Sequence, residues 1–409
     1  MKAASYIGRG KYIAPLGLSG GLSPRADSFQ LVCGLLALSI QFVQIGGAQL
    51  GQLWAVTLIP LLLVKRSISV RAHEALAFSL FIGVALLLTE FSGYPRIKEI
   101  DQIIKFVVVY PVFYLLGRYF GRRYLSAELP FGYVSLFGFL LFQILLQQLD
   151  VPVLYQTVDF AQGALHGSFK ERNWLAATFF FMSYMLFLQS ERRVSDVAWF
   201  LGVGVAVALL SESKTVLIPC GIVLLTQIKG RNILKVLAIS AGAILYYYRF
   251  SHELSGDLLR VRLEEERGLA FVTSIALVTK DWLGYGFGFV ESYFATSPIT
   301  VKGLGEGTNS VFCAPLDLML IAGIPGVIAW LVFFCGLGHG WRTMLCLAPL
   351  AAWSVVNPMH QSEMAYLFAG YLVSWGRGMV VVDRLAGRSG KARWKARPPG
   401  SGQIYSEMR

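Results

Sequence analysis

Apolar runs of bilayer-crossing length recur from residue 28 almost to the C-terminal tail, most of them separated by brief polar turns. A helix needs about 20 predominantly apolar residues to cross the hydrocarbon layer. Hydrophobic residues make up 55% of the 409 and charged residues only 15%, which is too apolar for a soluble chain of this length. The expected fold class is therefore all-α, a polytopic integral membrane protein of about twelve transmembrane helices with a large outward-facing loop. The expected spans are 28–45, 49–64, 73–90, 102–120, 131–149, 173–190, 196–211, 214–228, 232–248, 309–336, 343–357 and 362–383. The run from 309 holds Pro315 and Pro325, which predicts a kinked or tilted helix.

Charge then sets the orientation. With both termini inside, inward segments carry 24 of the 36 Lys and Arg residues, although the outward segments include the largest loop. This is the asymmetry that the positive-inside rule describes. The net charge of +12 is on this view a topology signal, and no nucleic-acid partner is expected. Residues 1–27 form a basic, glycine-rich cytoplasmic segment that resembles a signal anchor more than a cleaved leader. Residues 28–383 form a single transmembrane domain with outward loops at 150–172 and 249–308. The basic tail 384–409, rich in Gly, Pro and Ser, is expected to be cytoplasmic and disordered near anionic headgroups.

Several chemistries find no support. The five cysteines (33, 220, 313, 335 and 346) lie in or beside apolar runs, and neither they nor the five histidines show metal-ligand spacing. No Gly-x-x-x-x-Gly-Lys phosphate loop is present. Neither a metal nor another cofactor is expected, so the energy for any reaction must arrive with the substrate.

The outward segments, by contrast, are rich in cations and glycine. Lys170-Glu171-Arg172-Asn173 opens one span and Lys214 lies in a short turn. Basic groups near a membrane surface are costly without an anionic partner, and the planar fork of arginine suits a pyrophosphate. In the large loop, Arg260 and Arg262 stand four residues before Glu264 and Glu266, a spacing equally suited to surface pairs on a helix. Arg267 has no such partner four residues on. Trp282-Leu-Gly-Tyr-Gly-Phe-Gly288 carries glycine at alternate positions, so either a ligand approaches Gly286 and Gly288 closely or the run is a re-entrant turn with its aromatics in the headgroup belt.

Taken in order, these residues resemble the bacterial O-antigen polymerase and ligase superfamily. The resemblance runs over roughly residues 160 to 335. It rests on Arg172-Asn173, on Ser213-Lys214-Thr215, on the run from Arg267 to Gly288, and on Thr308-Asn309-Ser310 leading to Gly323-Ile-Pro-Gly326. His360-Gln-Ser-Glu363, on the last outer turn, is similar to a short acidic motif of exopolysaccharide polymerases. The resemblance implies a metal-independent membrane glycosyltransferase of the bacterial inner membrane, with its active loops periplasmic. Its donor would be a glycan on undecaprenyl pyrophosphate, and membrane lipid, a chain-length regulator and a flippase would be its partners. Arg172, Lys214 and Arg267 would neutralise the departing pyrophosphate. Lys170, Glu171, Arg260, Gly286, Gly288, Asn309 and Glu363 would line the substrate.

One departure bears on the reaction. Ligases of this superfamily carry a histidine just before the asparagine that matches Asn309, whereas this chain has Thr308. Threonine cannot act as a base near neutral pH, which favours polymerisation over ligation. Glu171, His252, Glu306 and Glu363 are then the candidate general bases. The alternatives are a ligase-like glycan transferase and, from another class, a flippase or transporter of lipid-linked sugars. Transporters tend to show two related halves, and no internal repeat is visible.

The orientation has a direct check. In a background lacking native cysteines, Thr300→Cys should react with a membrane-impermeant thiol reagent in intact cells, while Gly400→Cys should react only after permeabilisation. The reverse pattern would invert every site assigned above.

Overall fold

The computed structural model describes residues 23–376 except positions 66, 69, 92, 94–98, 126, 157–162, 229–235, 237–239, 241, 245–246, 248–255, 258–259, 262–266, 300, 302–303, 305–309 and 336–340. Residues 1–22 of the N-terminal segment, the tail 384–409, Asn309, and the candidate bases His252 and Glu306 thus lie outside the described residues, while the first helix begins at Pro24, inside the segment expected to precede the first span.

The described residues are mostly helical, and their one sheet is a two-residue hairpin, β1 (Gln44–Ile45) antiparallel to β2 (Ala48–Gln49). The helices run in order as α1 (Pro24–Ser39), α2 (Leu50–Val64), α3 (Ala72–Phe91), α4 (Glu99–Arg123) and α5 (Tyr133–Gln148). They continue with α6 (Arg172–Gln189), α7 (Val194–Leu210), α8 (Leu217–Gln227), α9 (Arg267–Lys280) and α10 (Phe289–Thr296). The last three are α11 (Ala314–Cys335), α12 (Trp341–Val356) and α13 (363–376). A 3-10 turn, Lys214–Val216, leads into α8, and another, Met359–Gln361, joins α12 to α13.

Every expected span coincides with one of these helices except 232–248, most of which lies outside the described residues. The count of about twelve crossings is nonetheless not confirmed. Three helices among the described residues are long and apolar enough to cross a membrane, namely Ala72–Phe91, Glu99–Arg123 and Ala314–Phe334. The reason is length: at ~1.5 Å per residue, the 15 residues of α2 or the 16 of α5 reach about 23–24 Å, short of the ~30 Å hydrocarbon layer. Apolar surface is still turned outward on these helices. Val56, Leu63, Leu76, Leu87, Phe142 and Leu145 are all exposed, an arrangement compatible with lipid contact and unfavourable in water.

Where helices do meet, small residues let backbones touch. A Cβ on Gly117 of α4 would collide with the Leu367 carbonyl oxygen of α13, and one on Gly370 would collide with the Tyr114 carbonyl oxygen. Gly117 and Gly121 are spaced four apart on the face that receives α13, the small-residue pattern of closely packed membrane helices. Aromatic side chains fill the middle: Trp330 lies 4.5 Å from Phe81 and 5.3 Å from Phe106 between ring centroids.

Polar contacts gather at the two ends of the helices, and each joins segments expected on the same side. At one end, Arg118 of α4 meets Glu74 of α3 at 2.8 Å, with side chains only 3% and 0% exposed. There too Arg123 Nε lies 2.7 Å from Asp27 of α1, which also accepts from the Tyr119 hydroxyl at 2.5 Å. At the other end, the loop end, the Lys170 amide donates to Gln41 Oε1 and Gln52 Nε2 donates to Glu363 Oε1, both at 3.0 Å.

The large loop is less open than its polar composition suggests. Its second half folds into α9 and α10, whose Ala270, Leu277, Phe289 and Phe294 form a small apolar cluster with Leu316 and Leu320 of α11.

The Glu74–Arg118 pair should behave as a buried staple. Arg118→Ala strands a buried carboxylate and should cost about 3–5 kcal/mol, read as a lower thermal midpoint in detergent. An Arg118→Met, Glu74→Met double variant should recover most of that loss.

Candidate functional site

The loop end brings together much of what the sequence singles out. Glu171 is the N-cap of α6 and Arg172 its first residue. The short turn after α7 comes back beside them. Ser213 Oγ donates to Asn173 Oδ1 at 2.8 Å, and Arg172 faces Glu212 at 3.5 Å, with both side chains more than a third exposed. Lys214 begins the 3-10 turn into α8 and is half-buried. Thr215 then ties this turn to the last one, its Oγ1 accepting from Asn357 Nδ2 at 2.7 Å and from Trp353 Nε1 at 3.2 Å. Arg172, Lys214 and the 357–363 turn therefore share one polar network. An exposed ion pair such as Arg172–Glu212 contributes at most about 1 kcal/mol, so a polyanion can displace the glutamate at little cost.

Other expected site residues stand elsewhere. Arg260 is exposed. Arg267 begins α9, and its side chain lies outside the description. Lys170 is half-buried beside Gln41. Glu363 opens α13, half-buried against Gln52.

Both glycines of the Trp282–Gly288 run are engaged by the protein itself. α11 is not helical at Gly323, where φ is 64° and ψ −173°, so the kink expected from Pro315 and Pro325 falls there. The break frees carbonyls of the preceding turn. The Tyr285 and Gly286 amides donate to the Leu320 and Ile321 carbonyls at 2.7 and 2.9 Å, while the Ile324 amide donates to the Trp282 carbonyl at 3.0 Å. Gly286 has φ +96°, and a Cβ there would overlap the Thr89 backbone of α3. The next two amides are also used: Phe287 donates to Thr89 Oγ1 at 2.7 Å and Gly288 to Gln102 Oε1 at 2.6 Å. The close approach that glycine permits is thus an approach to α3 and α11, in a re-entrant turn.

A second cluster, behind the first, was not visible as a motif. Asp317, in the first turn of α11, accepts from Ser310 Oγ at 2.6 Å and from the Val311 amide at 2.8 Å. His360 Nε2 lies 3.6 Å from Asp317 Oδ2, with the two side chains 3% and 1% exposed. Among the described residues, neither ring nitrogen of His360 has a hydrogen-bond partner. Burial pushes this imidazole down to about 3, so the ring is neutral as it stands. Phe106 packs against it at 6.1 Å and contacts Phe287 of the glycine run at 5.7 Å, so the cluster adjoins the re-entrant turn. Asp317 and His360 are 43 positions apart with no local pattern to link them. Only an acidic residue inside an apolar run marked Asp317 in the sequence.

No protein-family model matches this chain, and no curated protein matches it.

The structural role of the re-entrant turn is measurable. Gly286→Ala puts a Cβ against α3 at a positive φ and should lower stability by about 1–3 kcal/mol, seen as a drop in thermal midpoint of the solubilised protein. An unchanged midpoint would mean that α3 can yield there.

Proposed function

We propose that the chain is a membrane polysaccharide polymerase. It joins undecaprenyl-pyrophosphate-linked oligosaccharide repeat units into an exopolysaccharide or O-antigen chain on the outer face of a bacterial inner membrane. The observation that carries this reading is the convergence of Arg172, Asn173, Ser213, Lys214 and Thr215 with the 357–363 turn, through the Ser213–Asn173 and Asn357–Thr215 hydrogen bonds. Two cation-bearing segments, forty residues apart in sequence, meet at one end of the helices beside half-buried Glu363. That suits a phosphate-bearing leaving group next to a polar acceptor.

The chemistry asked of the site is modest. A hydroxyl of one repeat unit attacks the anomeric carbon of another. The bond from that carbon to the pyrophosphate oxygen breaks, and the lipid pyrophosphate leaves with the electron pair. Arg172, Lys214 and Arg267 offset the charge that grows on it, the electrostatic stabilisation that most effectively speeds such a step. Holding both reactants side by side supplies much of the remainder. Lys170, Glu171, Arg260, Asn309 and Glu363 contact the glycan, and the re-entrant turn with Gly286 and Gly288 borders it. The crossings number about twelve in this reading, the short helices included, and the loop end faces the periplasm.

A transporter of lipid-linked sugars is the second reading, and the break in α11 favours it, because discontinuous helices often mark transport sites. Against it, the Leu320 and Ile321 carbonyls freed by the break already accept from Tyr285 and Gly286. A ligase reading meets Thr308 where a ligase has histidine.

Purified protein given one lipid-linked repeat unit should produce a ladder of longer lipid-linked glycans without nucleotide or divalent metal. Arg172→Ala and Arg267→Ala should abolish the ladder in protein that remains folded. Lysine at either position should restore it only in part, because the charge returns without the fork, and Arg260→Ala should be milder. Substrate moving across liposomes with no new glycosidic bond would establish transport instead. Loss of the ladder on chelation would refute the metal-free mechanism alone.

A further inference from the structure

Among the described residues, His360 and Asp317 form a buried acid–imidazole pair that none of the roles above uses. We infer that His360, backed by Asp317, takes the proton of the attacking hydroxyl, an inference that rests on the transfer reading just given. Asp317 is fixed before any substrate arrives: the Ser310 hydroxyl and the Val311 amide both donate to it, at 2.6 and 2.8 Å. Its Oδ2 faces His360 Nε2 at 3.6 Å. No hydrogen bond joins them at that distance; a small approach as the 359–361 turn moves lets the carboxylate accept from Nε2–H, which leaves Nδ1 as the acceptor and stabilises the imidazolium that forms.

Three observations point the pair at a ligand. His360 is nine-tenths buried or more, yet among the described residues Nδ1 has no hydrogen-bond partner, a condition that a substrate hydroxyl would relieve. The His360 turn joins the Thr215 network through Asn357, and Phe106 links its ring to the re-entrant turn through Phe287. Phe106 of α4 packs on the His360 ring, and the Tyr366 hydroxyl of α13, itself stacked on Tyr110, donates to the His360 carbonyl. The ring is covered as it stands, and contact with the hydroxyl requires the 359–361 turn to move as the substrates enter.

The step balances. The acceptor oxygen forms the new bond to the anomeric carbon while its proton passes to His360 Nδ1. The pyrophosphate leaves with its electron pair, and the imidazolium later returns its proton to water. This gives the chain a base that Thr308 cannot be, supplied from the last turn of the domain.

The test uses purified full-length protein and a lipid-linked repeat unit, with ladder formation and donor binding measured separately. His360→Ala should slow the ladder at least about 100-fold, the usual range for loss of a general base, with donor affinity within a few fold of wild type. Imidazole in the buffer should restore part of the rate to His360→Ala and none to His360→Gln, where the bulk of glutamine occupies the space. A ladder at wild-type rate in His360→Ala would overturn the proposal. So would a joint loss of binding and ladder that imidazole does not repair, because His360 would then only hold the turn. Wild-type protein that makes no ladder would instead refute the transfer reading, and this assignment with it.

Discussion

A helix inside an apolar environment cannot leave backbone groups without partners, and α11 is broken at Gly323 in the middle of its course. The loop end is organised around that break. The turn 282–286 supplies the amides and the carbonyl that the interrupted helix needs. In doing so it is drawn against α3, where glycine at 286 is the residue that fits. The half-helix before the break presents Asp317 to the loop 310–313 and to the last turn, while the half after it lays Trp330 and Phe333 into the aromatic centre. One non-helical residue thereby fixes the re-entrant turn, the buried acid and the packing of α3.

The opposite end solves a different problem. Asp27, Glu74 and Arg118 are buried among apolar helices, where an isolated charge is prohibitively costly and a matched pair roughly breaks even. Each carboxylate there meets an arginine, and the Tyr119 hydroxyl adds a donor to Asp27. These pairs bring α1 and α3 onto α4, the helix whose Gly117 lets α13 approach to backbone contact. The loop-end network hangs from α6, α8 and α13, so its geometry depends on a scaffold held together at the far end.

How much of this could be read from the sequence depended on whether the signal was local. Helix positions were legible because apolar runs are contiguous, and the pairing of Arg172-Asn173 with Ser213-Lys214-Thr215 was suggested by both standing where spans begin on one side. Membrane-crossing length was harder to judge, since hydropathy blurs a helix into its flanking turns: the expected span 131–149 is a helix only over 133–148. The second half of the large loop reads as polar, yet α9 and α10 bury one face in a cluster that exists only once α11 is beside them. The glycine run was legible as close backbone approach, but its partner, Thr89, lies nearly two hundred residues earlier. Asp317 and His360 carry no local pattern at all, because the relation between them is made by the fold.

The short helices bear on the proposed chemistry in a way their sequences alone do not suggest. The run Lys214–Gln227 is about 21 Å long at ~1.5 Å per residue, while its neighbour α6, of 18 residues, reaches about 27 Å. Both fall short of a hydrocarbon layer of ~30 Å. The Ser213–Asn173 hydrogen bond at 2.8 Å nevertheless holds the loop ends of these two helices side by side, so on the proposed reading Lys214 and Arg172 lie together near the boundary between headgroups and hydrocarbon. A lysine at that depth is tolerated when its charge reaches the interface or meets an anion. A lipid pyrophosphate sits at that boundary, its isoprenoid chain below and its glycan above. Two cations held side by side at that boundary match such a leaving group, because a lysine and the planar fork of an arginine can each offset charge on one of its two phosphates.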